Sequence, residues 1–162
     1  VGSEMCIRDS YGRGPFENYI DRYSGAFIGR YEDKVENQFY WYIRPQETGN
    51  KTDVRWLTLL DSGGLGVKIT GLQPISFSAL HFSPEDLDPG LTRKLQHTID
   101  IVPQKNIFLH VDLKQRGLGG DNSWGMYPHN EYRLLDKKYT YSYMIELVEK
   151  GSDKNDYLNS RK

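Results

Sequence analysis

From Ile107 to Leu113 the chain alternates without a break: Ile107, Leu109, Val111 and Leu113 fall on one side of an extended backbone, and Phe108, His110 and Asp112 on the other. A period of two is the pattern of a strand with one buried face. The same period recurs along the sequence. Val54, Trp56, Thr58 and Leu60 share a face within 53–61, and SGGLG (62–66) turns the chain into a strand at 67–70. Ile75, Phe77, Ala79 and His81 line the next strand. Ile99 and Ile101 face together within 97–102. Residues 132–135 resume extended structure, and Tyr139, Tyr141, Tyr143, Ile145 and Leu147 line a long last strand. QFYWYIR (38–44) is aromatic and β-prone until Pro45 stops it. Residues 23–31 are mixed and fit a short strand or a turn of helix. Helical periodicity is almost absent: PEDLDPGL (84–91) is the one candidate, and Pro89-Gly90 confines it to about a turn or two. This pattern predicts an all-β fold, an antiparallel β-sandwich with one buried face per sheet.

Composition narrows the picture. A chain of 162 residues is one domain, long enough to bury a core. With 37% hydrophobic and 27% charged residues it reads as globular and not disordered. The formal net charge of -1, with no basic stripe, argues against a nucleic-acid partner. No apolar run is long enough to span a bilayer, which argues against a membrane. The first ten residues, VGSEMCIRDS, lack the alternation seen elsewhere and have no signal-peptide apolar core. They read as a leader foreign to the domain. Setting them aside removes Cys6, the sole cysteine, and with it any disulfide or cysteine metal site. The sandwich is then assigned to 11–150 and a polar, frayed tail to 151–162.

Chemistry is sparse on this scaffold. His81, His97, His110 and His129 are not paired at metal-ligand spacing, so no metal residues are assigned. There is no G-x-S-x-G nucleophile elbow and no phosphate-binding glycine loop. Nothing in the spacing of the acids singles out a pair for glycoside chemistry, so no catalytic residue is assigned. The exception to the blandness is GLGGDNSWG (117–125). Gly117, Gly119 and Gly120 free the backbone to turn, and Trp124 stands where little apolar bulk can bury it. An aromatic ring flanked by Asp and Asn suits the apolar C–H face and the hydroxyls of a sugar. The alternative is a ring folded back on the end of the sandwich.

YGRGPFENYIDR (11–22), RPQETGNKTDVRW (44–56), SFSALHFSPEDLD (76–88) and RGLGGDNSWG (116–125) together resemble the C-terminal, small-chain domain of LacZ-type β-galactosidases, in glycoside hydrolase family 2. The resemblance covers about 11–150. It implies an antiparallel supersandwich at the end of a multidomain enzyme that hydrolyses terminal β-galactosides with retention. The resemblance also implies that the two catalytic glutamates belong to a central barrel and that magnesium and sodium are held by other domains. It further implies that Trp124 reaches the substrate pocket, with Asn122 and Asp121 as secondary sugar contacts. Asp121 and Ser123 are also candidates for bracing the loop. Glu17, Asn18, Asp21 and Arg22 are read as fixing a turn and an ion pair. Glu47 is a candidate contact near the active site or a domain interface, and the Tyr139–Tyr143 stripe is read as core or inter-domain packing. The implied partners are a β-galactoside, the catalytic barrel and further copies in a homo-oligomer. The implied compartment is the cytoplasm, with the periplasm as alternative. The family's domain begins well before its G-x-G-P-x-E-N-Y motif, so an N-terminally truncated sandwich is expected. A stand-alone carbohydrate-binding or interaction sandwich, or the small subunit of a split β-galactosidase, are the other readings.

Overall fold

The alternating stretches pair into one antiparallel sheet. The computed structural model describes residues 6–88, 90, 97–122 and 124–149. Within them the strands are β1 (Cys6–Gly14), β2 (Phe27–Lys34), β3 (Lys51–Leu60), β4 (Leu65–Leu80), β5 (Phe108–Asp112) and β6 (Tyr143–Glu149), joined by one helical turn, α1 (Pro84–Leu87). The order is β2-β1-β3-β4-β5, and β6 also pairs with β4. The all-β, antiparallel architecture expected from the period of two is the one formed. The described strands supply one sheet of it, with the apolar residues of β3, β4 and β5 gathered into a core.

β4 is the axis of the sheet. The sequence pattern divides it into two strands, but the chain runs through as one of 16 residues. Its first half, Leu65–Gly71, pairs with β6, and its second half, Ser76–Leu80, pairs with β5. β3 flanks both halves, with Thr70 opposite Trp56 and Ile75 opposite Val54. Pro74 lies between the two ladders, where its missing N–H removes no ladder bond.

Ile75, Phe77 and Ala79 of β4 are buried as expected, and Ile107, Leu109 and Val111 pack against them. Val54 belongs to the same cluster, but with Leu57, Leu59 and Ile69, not with Trp56. The ladder slips between Val54 and Trp56, and such a bulge moves every later side chain to the other face. A second cluster joins Phe39, Leu80, Phe82, Leu87 and Ile101. It seats α1, whose first turn is closed by a reciprocal pair: the Asp86 N–H donates to Ser83 Oγ, and the Ser83 N–H to Asp86 Oδ2.

Several expectations fail for definable reasons. The aromatic run 38–44 is no strand: a 3-10 turn, Val35–Gln38, leads into irregular chain. Its rings are anchors, Phe39 in the second cluster and Tyr40 and Tyr42 at Glu17. Residues 97–102 contain a 3-10 turn, Thr98–Asp100, which leaves Ile99 in solvent and buries Ile101. A further such turn, Asn130–Tyr132, takes the start of the segment expected at 132–135; the backbone is extended at Arg133, but 133–135 pair into no strand. The last strand starts at Tyr143, not Tyr139, and its stripe is uncovered: Ile145 is 60% and Leu147 90% exposed. It is therefore not core among the described residues. The mixed segment 23–31 resolves into strand β2. β1 starts at Cys6, inside the ten residues set apart by composition, and both of its ladders slip between Ile7 and Ser10. Asp9 is buried and paired with Arg30.

Candidate functional site

Three polar segments with little alternation of their own meet at one end of the sheet. The first is the turn after β1. Tyr19 and Arg22 exchange both backbone bonds, at 3.3 and 2.8 Å, so the chain reverses tightly there. Glu17 and Asn18, just before the turn, are both buried. The Glu17 carboxylate accepts from the hydroxyls of Tyr42 and Thr48 and from the Gly49 N–H. The Asn18 side chain accepts from the N–H and hydroxyl of Thr52 and donates to the carbonyls of Phe16 and Arg13. Its backbone N–H donates to the Asn50 carbonyl, and the Asn50 amide donates back to the Asn18 carbonyl. Buried polar groups are tolerated when bonded in this way. Glu17 and Asn18 thus fix the turn, as the sequence suggests. Thr48, Asn50 and Thr52, which sequence reasoning missed, are their partners in the second segment. Arg13 adds an ion pair to Asp53 at 2.5 Å.

The third segment follows β5. The Gly117 N–H donates to the Tyr132 carbonyl at 2.7 Å and pinches 117–132 into a closed excursion. Asp21, on the tight turn, holds its foot: the Gly119 N–H donates to Asp21 Oδ2 at 2.6 Å. Gly117 is obligatory at that spot, because a Cβ would lie 2.6 Å from Asp21 Oδ2 and 2.8 Å from the Tyr132 Cβ. Among the described residues Asp21 thus bonds the loop, and no ion pair to it is found.

At the tip, the Trp124 N–H donates to Asn122 Oδ1 at 2.8 Å, an Asx-type turn. The Trp124 ring is 92% exposed. It is not folded back on the sheet. Asp121 lies 2.9 Å from His129 Nε2 across the loop. That hydrogen bond, reinforced by the charge of Asp121, raises the His129 pKa above its ordinary value. Asp121 is thus engaged in bracing, Asn122 in shaping the turn, and Ser123 lies outside the described residues.

Glu47 sits beside the foot of the loop. Its Oε1 accepts from the Gln115 amide at 2.9 Å and lies 3.6 Å from His110 Nδ1. With Asp112, Arg116 and Leu118 these residues line an open polar cleft. His81 and His97 are elsewhere, at the Gln104 carbonyl and at Asp100. Among the described residues no three His, Cys, Asp or Glu side chains are grouped so as to hold a metal ion.

Residues 9–145 match the family model described as Beta galactosidase small chain. The chain belongs to that family. The β-galactosidase of Priestia megaterium (strain DSM 319 / IMG 1521) is 39% identical over 137 residues, which are 84% of this chain and 13% of that protein. The β-galactosidase of Streptococcus thermophilus is 36% identical over 148 residues, 90% of this chain and 14% of the relative. That of Lactobacillus delbrueckii subsp. bulgaricus is 37% identical over 129 residues, 79% and 12% respectively. The chain thus spans only a small fraction of the relatives' length. Within this β-galactosidase small-chain domain, the matched region takes in the locked turn, the polar segment at 47–53 and the whole Trp124 loop.

Proposed function

We propose that the chain forms the small-chain part of a β-galactosidase acting on terminal non-reducing β-D-galactose, and that it lends Trp124 to the substrate pocket without supplying a catalytic residue. The observation that carries this reading is the Trp124 ring: nearly fully exposed, yet on a loop pinched at its base and tied to a locked turn. An exposed ring on a fixed support can receive the flat apolar face of a sugar. An indole has one N–H donor and no acid or base function near neutral pH. Its part is to pack, orient and exclude water. The Asn122 amide N–H groups can serve a sugar hydroxyl while its oxygen holds the turn. Asp121, bonded to His129, has one oxygen left to accept.

The two glutamates of a retaining hydrolysis, and the magnesium and sodium ions implied by the family, belong in this reading to other domains of the enzyme. The described residues offer no cluster that fits an ion. The remaining partners of the proposal are the catalytic barrel and further copies in a homo-oligomer.

The test uses two proteins: the chain itself, and a chimera in which residues 9–145 replace the matched segment of the Priestia megaterium enzyme. The chain alone should give no turnover of a chromogenic β-galactoside. In the chimera Trp124→Leu should raise KM several-fold and leave the pKa values of the pH–rate profile unchanged. Loss of stacking beyond plain burial accounts for about 0.5–1.5 kcal/mol of that. Unchanged KM and inhibitor affinity would remove Trp124 from the pocket. Galactoside binding by the chain alone would favour a stand-alone carbohydrate-binding module.

A further inference from the structure

The loop that carries Trp124 has few ties to the body of the domain. Among the described residues between Gly117 and Tyr132 the bonds are mostly internal: the pinch at the base, the Asn122 turn and the Asp121–His129 pair. The side chain that reaches it from the body is Asp21, whose Oδ2 accepts the Gly119 N–H across 98 residues of sequence. The contact is tight on both sides. A Cβ on Gly117 would meet the same oxygen at 2.6 Å, and one on Gly119 at 3.2 Å. The other oxygen, Oδ1, is buried without a hydrogen-bond partner. Such an atom is costly to keep, and the local turn does not require it, since Tyr19 and Arg22 close that turn through their backbones.

We propose that Asp21 is a positioning residue for substrate binding: its carboxylate transmits the rigidity of the locked 17–22 turn to the Gly117–Gly120 foot and so fixes where the Trp124 ring stands. This rests on the reading of Trp124 as a wall of the sugar site. A carboxylate suits the task because a charged acceptor makes a short, strong bond to a backbone N–H. Its anchor does not yield, because Asn18 beside the turn is bonded on every side. Misplacement of a binding group by a fraction of an ångström is enough to weaken a site that depends on orientation.

Two readouts test the proposal. In the 162-residue chain, amide hydrogen exchange at Gly119 is compared with that at Leu57, in the core. Asp21→Ala should speed exchange at Gly119 roughly tenfold or more and leave Leu57 unchanged. Asp21→Asn, which keeps an oxygen in place, should largely restore the wild-type rate. In the chimera with the Priestia megaterium enzyme, Asp21→Ala should raise KM roughly three- to tenfold with kcat little changed. In a Trp124→Leu background it should add nothing further, because the ring it positions is gone. Should Asp21→Ala fold poorly, Gly119→Ala, whose Cβ would press on the same carboxylate at 3.2 Å and meet no other atom, should give the same effects in weaker form. Unchanged Gly119 exchange in Asp21→Ala overturns the proposal. So does a KM effect that persists undiminished beside Trp124→Leu. If Gly119 is released while Trp124→Leu leaves KM untouched, the tether stands and the pocket role of Trp124 fails.

Discussion

Lys51 is the residue whose burial is hardest to read from its type. It opens β3, is 6% exposed, and loses so much hydration that its pKa falls to about 8, although Glu17 and Asp33 pull it upward. Its folded pKa lies below the unfolded one. Below pH 8 both states carry the charge and the native state bears the full cost of burying it. Between about pH 8 and 10.5 the unfolded chain keeps a proton that the native chain has released, so stability rises with pH. The span corresponds to about 3 kcal/mol. Lys51→Met should therefore raise the urea midpoint at pH 7, and its advantage over wild type should shrink by pH 10. A constant difference across that range would mean that Lys51 is not buried as a cation. The residues of the site show how far sequence reasoning reaches at this scale. The exposure of Trp124 was open to sequence reasoning, because a large ring in a glycine-rich loop has nothing local to bury it. Asp21 was not, because its partner is a backbone N–H 98 residues away and no spacing encodes that. Thr48, Asn50 and Thr52 were equally silent, since buried polar residues in a loop look like any others until their partners are known.

At the scale of elements, the period of two told which side chains share a face but not whether anything covers that face. The stripes of the second half of β4 and of β5 look alike in sequence to that of β6. The first two are packed together, while the β6 stripe faces solvent. Ile75→Ala should accordingly cost about 2–5 kcal/mol in urea unfolding, and Leu147→Ala under about 0.5 kcal/mol. A large loss at Leu147 in the chain alone would show that β6 is covered. Aromatic richness misled in another way: 38–44 has the composition of a strand but no neighbour to pair with, and its tyrosines spend their hydroxyls on Glu17. The slip at Val54–Trp56 is invisible to periodicity: two steps along β3, Val54 to Trp56, face five along β4, Ile75 to Thr70, and an odd difference reverses the assignment for everything after it.

For the molecule as a whole, uncovered apolar side chains are spread widely: Phe27 on β2, Leu72 on β4, and Ile145 and Leu147 on β6. Beside them, β2 is the last strand on its side of the sheet among the described residues. Exposed apolar strands with free edges invite pairing between chains. The chain alone, at micromolar concentration, should scatter light as an associating species. A monodisperse monomer that unfolds cooperatively would contradict this. The long-range tie between Asp21 and the loop has one more consequence, in the order of events during synthesis. The β3–β4 hairpin is closed by a turn at Asp61–Gly64 and can form as soon as those residues leave the ribosome. The clip at Gly119 must wait for nearly a hundred further residues after Asp21 has emerged, and loop closure over that distance is entropically the more demanding step. The β3–β4 part of the sheet therefore forms before the Trp124 loop is clipped in place, and Gly119 should gain amide protection later than Leu57 in pulse-labelled refolding.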